Sequence, residues 1–191
     1  DGGGFLGTPR SDGGRYDPAA DAWAATAASP LSARARHTAV WSGSEMIIWG
    51  GSWGGSDLDS GGRYDPAGNA WTATTVDANT PSARTNHTLV WTGREVIVWG
   101  GSSALNLQSG GRYDPRTDAW QPVSLEGAPA ARAEHSAVCS GSEMIVFGGL
   151  SGFSAQRTGG RYDPAGNTWK ATSMTGAPTA RPRWPSCTPP S

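Results

Sequence analysis

Six residues, Gly-Gly-Arg-Tyr-Asp-Pro, occur four times in this 191-residue chain, at 13–18, 61–66, 110–115 and 159–164. The spacings are 48, 49 and 49 residues. Self-similarity at such a period commits a chain to a tandem array, in which each unit buries its apolar surface against the next. The repeat extends well beyond the hexapeptide. A tryptophan follows each copy (Trp23, Trp71, Trp120, Trp169), and then a proline-alanine-arginine stretch ending at Arg34, Arg84, Arg132 or Arg181. A histidine follows in three copies (His37, His87, His135) and opens "HTAVWSGSEMIIWGG", "HTLVWTGREVIVWGG" and "HSAVCSGSEMIVFGG".

Each unit reads as four short strands. Residues 37–41 are β-branched and aromatic, Ser42-Gly43 is a turn signal, and residues 45–49 are an apolar run with a buried look. The diglycine that closes the run permits backbone shapes and close approaches that other residues resist. Residues 63–65 form a third strand and residues 70–74 a fourth. Between them, Pro66 presets φ, while Gly68 and Asn69 tolerate positive φ. No segment has a helical period. Four antiparallel strands in about 49 residues describe one propeller blade. The repeated Tyr and Trp would supply the area between blades, each Trp burying ~150–250 Å², or about 4–6 kcal/mol before entropy.

The diglycine after an apolar strand, the later Tyr64 and Trp71 beyond the turn resemble the Kelch repeat. The wider pattern is similar to bacterial Kelch-type proteins. The resemblance covers nearly the whole chain and implies an all-β propeller of four-stranded antiparallel blades, not a single activity. On this reading the hexapeptide is architectural: Tyr packs between blades, Asp-Pro opens a hairpin turn, and Arg15, Arg63, Arg112 and Arg161 meet a carboxylate or carbonyls.

The register gives about three and a half blades. Residues 1–28 form half a blade, its third and fourth strands; 29–76, 77–125 and 126–174 are blades; 175–191 is an irregular Pro-rich tail in which Trp184 replaces the expected histidine. Three arrangements follow: a piece of a longer ring, a ring completed by a second copy, or a strained four-bladed ring.

The 2–3 and 4–1 connections share one face of such an array, and the 1–2 and 3–4 turns share the other. The turns are short and uniform. The 2–3 loops differ completely: "GFLGTPRSD", "SWGGSDLDS", "SSALNLQS", "LSGFSAQRT". Varied loops on a uniform frame are the pattern of a binding surface. Phe5, Arg10, Trp53, Asp57, Asp59, Leu105, Phe153 and Arg157 are its candidates, since exposed aromatics beside polar groups suit protein or sugar recognition. The expected function is a non-catalytic scaffold that binds a partner, a protein first, through this face. A lectin-like carbohydrate-binding propeller and the propeller part of a larger enzyme are the alternatives.

Other chemistry has little support. The three histidines are one repeat position on three blades, too far apart to share an ion, so no metal and no cofactor are expected. Glu45, Glu95 and Glu143 are expected to answer Arg34, Arg84 and Arg132 in buried or half-buried pairs. Asp57 and Asp59 match a calcium loop only loosely. Cys139 stands where other units have Trp and reads as a core filler. Asn86-His87-Thr88 fits a glycosylation triplet but lies at a strand start. The copper oxidases of this fold need a metal-bound tyrosine, and all four tyrosines here are repeat positions. A net charge of −1 draws neither nucleic acid nor an anionic membrane, and no apolar run is long enough for a helical membrane span. "DGGGFLGTPR" has no signal-peptide pattern. The compartment stays open, with a secreted or cell-surface bacterial setting favoured.

Overall fold

The computed structural model describes residues 10–178, and within them every regular element is a strand. A hairpin of β1 (Gly14–Asp17) and β2 (Ala22–Ala25) comes first. The first blade contains β3 (Thr38–Trp41), β4 (Met46–Trp49), the small hairpin β5 (Ser52–Trp53) and β6 (Ser56–Asp57), then β7 (Gly61–Asp65) and β8 (Ala70–Ala73). The second contains β9 (Thr88–Trp91), β10 (Val96–Trp99), β11 (Gly110–Asp114) and β12 (Ala119–Pro122). The third contains β13 (Ser136–Cys139), β14 (Met144–Phe147), the hairpin β15 (Leu150–Ser151) and β16 (Ser154–Ala155), then β17 (Gly159–Asp163) and β18 (Thr168–Ala171). Each blade is an antiparallel meander, ordered β3-β4-β7-β8, β9-β10-β11-β12 and β13-β14-β17-β18. The first strands of successive blades touch, β3 on β9 and β9 on β13, which makes them the innermost.

The second strand of the first two blades is apolar throughout because both of its faces are covered. Val96 and Val98 point back to the first blade and pack with Ile47, Trp49, Tyr113 and Trp120. Ile97 and Trp99 point forward to the third and pack with Met144, Val146, Tyr162 and Trp169. Tyr therefore does pack between blades, and its aromatic neighbour explains the seven-residue spacing. Tyr64 faces Trp71 across the β7–β8 ladder, with ring centroids 5.0 Å apart. Cys139 packs half-buried against the same core as Met144.

The repeat fixes its own turns. Asp65 Oδ1 accepts the Ala67 N–H at 2.8 Å, and the residue that adopts positive φ is Asn69 (47°). The side-chain oxygen of that position accepts the tyrosine hydroxyl in every unit: Tyr16 to Asp21, Tyr64 to Asn69, Tyr113 to Asp118 and Tyr162 to Asn167, all at 2.6–2.7 Å. Burial, with this bond behind it, raises the Tyr113 pKa well above the ordinary phenol range. Tyr113→Phe is expected to cost about 1.5–3 kcal/mol in urea unfolding, the worth of a bond to a carboxylate. An unchanged midpoint would show that the bond adds nothing to stability.

Two glycines show why the motif is invariant in this chain. Gly100 has φ 65° and holds the His135 ring of the next blade where a Cβ would lie 2.6 Å from it. A Cβ on Gly110 would sit 2.3 Å from the Val98 carbonyl.

The array of described blades is open. Trp23 at one end is 72% exposed and Val138 at the other 60%, so the described blades do not close into a four-bladed ring. Phe5 and the residues of the tail from 179 onward lie outside the described residues.

Candidate functional site

The 2–3 loop of each of the three blades is closed at its base by one buried arginine from the 4–1 connection of the same blade. Arg34 Nη1 donates to the carbonyls of Gly50 (3.0 Å) and Ser60 (2.7 Å), the residues on either side of the first loop, and Nη2 donates to Ser60 Oγ (3.0 Å). Arg84 does the same with Gly100 and Ser109, and Arg132 with Gly148 and Thr158. All three side chains are buried. Burial lowers the pKa of each, that of Arg84 to about 10, so the guanidinium stays charged at neutral pH. The expected pairing of these arginines with Glu45, Glu95 and Glu143 does not occur. Those carboxylates stand in the 1–2 turns and meet the hexapeptide arginines instead: Arg63 at 3.6 Å, Arg112 at 3.7 Å and Arg161 at 3.8 Å. The reason is position, because the glutamates and the loop bases are at opposite ends of the same strands.

On this frame the loop tips project. Trp53 is 43% exposed beside the Gly54-Gly55 turn of β5–β6, whose φ values of 59° and 86° suit a tight primed turn. Leu105 is 79% exposed and Phe153, beside Gly152 at the tip of β15–β16, fully so. Asp59 and Arg157 are exposed, and Asp57 is half-buried opposite Ser52 in the hairpin. Arg10 is exposed and pairs with Asp12 at 3.4 Å. The hairpins themselves were not foreseen from the sequence, since two-residue strands leave no alternation to read.

Neighbouring loops are tied along the same face. The backbone N–H of Arg84 donates to the Leu58 carbonyl in the preceding loop, and that of Arg132 to Leu107. Asn106 Nδ2 reaches the Leu150 carbonyl of the next loop at 2.8 Å. Trp53, Leu105 and Phe153 thus occupy successive loops of one continuous rim.

Sequence reasoning passed over the inner edge of this face. Arg36, Asn86 and Glu134, one repeat position, all adopt left-handed backbone (φ 57°, 54° and 55°). Such strain in residues other than glycine is retained where the surrounding structure holds it. With the three histidines they line a cavity of about 390 Å³. The available signal was their variety, Arg, Asn and Glu, inside an otherwise uniform frame. The histidines serve the frame: His87 Nε2 bonds Thr38 Oγ1 of the preceding blade at 2.6 Å, and His135 Nε2 bonds Thr88 Oγ1 at 2.8 Å. Burial, then the nearby Arg84 or Arg132 charge, depresses both pKa values to about 3. No cluster of three or more His, Cys, Asp or Glu among the described residues has the arrangement of a metal site. Larger clefts, of about 490 and 560 Å³, lie on the turn face, where Arg94 and the Glu–Arg pairs line them.

A family model described as the KLHDC2/KLHL20/DRC7 Kelch-repeats domain matches residues 15–188. No curated protein matches the chain.

Proposed function

Because the chain belongs to the Kelch-repeat family, we propose that it is a non-catalytic interaction scaffold whose 2–3 and 4–1 loop face holds a protein segment. The observation that carries this reading is the exposure of Trp53, Leu105 and Phe153 on successive loops with clamped bases. Aromatic side chains such as Trp and Phe are enriched where protein interfaces are anchored. Arg36, Asn86 and Glu134 at the inner edge would fix orientation, and Arg10, Asp57, Asp59 and Arg157 would form the polar rim.

The test is selection of binding peptides from a random display library on the folded chain. Trp53→Ala and Phe153→Ala are expected to weaken selected peptides at least about tenfold, the usual size of an anchor loss. Arg94→Ala, on the turn face, is expected to leave them unchanged. The reverse pattern would move the binding surface to the turn-face clefts.

A carbohydrate ligand is the second reading, favoured by the exposed Trp53 ring on the same hairpin as Asp57. An exposed indole face suits stacking on a sugar ring, while Asp57, paired with Ser52, turns to the other face of the hairpin. A glycan array without binding would remove it.

A further inference from the structure

The contacts between successive blades recur at equivalent residues, except that the indole bond is made only between the whole blades, since the buried Trp71 Nε1 has no partner. A hexapeptide arginine donates to the proline carbonyl of the next blade: Arg15 to Pro66, Arg63 to Pro115, Arg112 to Pro164. The N–H just after the fourth strand donates to the next blade's turn residue: Ala27 to Asn69, Thr75 to Asp118, Ser124 to Asn167. The next blade's Trp packs on the Trp that ends the second strand, Trp120 on Trp49 and Trp169 on Trp99. Its indole N–H donates back across the interface, Trp120 to the Thr75 carbonyl and Trp169 to that of Ser124, both at 3.0 Å.

Each end of the described array presents one half of this set. On the third blade, Arg161 is 46% exposed where Arg63 and Arg112 are 19% exposed. Phe147 stands in the place of Trp49 and Trp99 and is only half-buried, and Ser173 takes the place of Thr75 and Ser124. On the β1–β2 hairpin, Trp23 and Tyr16 are exposed where Trp120 and Tyr113 are buried. Pro18 and Asp21 stand at the positions of Pro115 and Asp118.

We infer that the third blade of one copy receives the β1–β2 hairpin of a second copy of this chain, continuing the inter-blade interface across two molecules. Arg161 then meets the Pro18 carbonyl of the second copy. Its Trp23 covers Phe147 and donates to the Ser173 carbonyl. Its Asp21 accepts the Ser173 N–H through one oxygen and the Ser173 hydroxyl through the other, as Asp118 accepts both donors of Thr75. A second copy is the occupant because its own hairpin is uncovered and carries each counter-group in register. The contact is head-to-tail, so two copies satisfy both ends when the ring closes. It lies away from the loop tips, and its failure would leave the loop-face reading standing.

The experiment is the solution mass of the full 191-residue chain, by light scattering after size exclusion, with circular dichroism. The expected result is a folded species of twice the chain mass. Trp23→Ser and Arg161→Glu, at positions exposed in the single chain, should each reduce it to one chain with an unchanged strand spectrum. A folded single chain for the unaltered protein, a ladder of larger masses, or a double mass that survives both substitutions would overturn the inference.

Discussion

Arg84→Met is expected to lower stability by about 4–6 kcal/mol, enough to unfold the second blade under mild denaturant. Arg84 is fully buried and makes five hydrogen bonds, to the carbonyls of Ser82, Gly100 and Ser109 and the hydroxyls of Ser82 and Ser109. Methionine fills part of the volume and supplies no donor. The Gly100 and Ser109 carbonyls then lose their guanidinium partner, at about 1–3 kcal/mol each, and the remaining loss comes from the hydroxyls and from packing over Trp49. Arg84→Lys should fall between the two, because one ammonium cannot span both ends of the loop. The measurement is urea unfolding followed by tryptophan fluorescence. A loss under about 1 kcal/mol would mean that the loop base closes without its arginine.

Acid is expected to weaken the protein well before its carboxylates protonate. The unfolded imidazole takes up a proton near pH 6.5, whereas buried His87 and His135 do so only near pH 3. Between those values the unfolded chain binds more protons, so stability is complete above pH 6.5 and falls as the pH drops toward 3. At pH 5 each histidine accounts for about 2 kcal/mol, and the pair for about 4. His37 is shifted the same way by burial and then by Arg34, and adds to the trend. Unfolding free energies at pH 7 and pH 5 test this, with the His87→Gln, His135→Gln double variant as the control. The variant should lose most of the difference between the two pH values. An equal difference in both proteins would place the acid sensitivity elsewhere.

Much of the frame was legible in residue order, because period, strand length and turn chemistry are local properties. Tyr64 and Trp71 announced a hairpin through their spacing, and the unbroken Met46–Trp49 run announced a strand covered on both faces. The arginine at the loop base was misread because its acceptors are backbone carbonyls, which leave no trace in side-chain identity. Opposite charge made Glu45 the apparent partner of Arg34, although the strand holds them at opposite ends. The left-handed backbone at Arg36 and Glu134 was hidden for a similar reason, since neither residue type favours that conformation and only the fold imposes it. The loops were legible as variable segments, and the structure leaves Trp53, Leu105 and Phe153 exposed on them, yet how successive loops are tied together is a property of neighbouring blades and their backbone bonds.

The arginine at each loop base grips main-chain oxygens and a single Ser or Thr hydroxyl, so it is blind to nearly everything the loop encodes. The eight residues between the diglycines of the second blade and the nine of the first and third are held by the same grip. Segments of different length and sequence are closed by the same bonds in all three blades. Loop variety and integrity of the blade are thus written in separate parts of each unit.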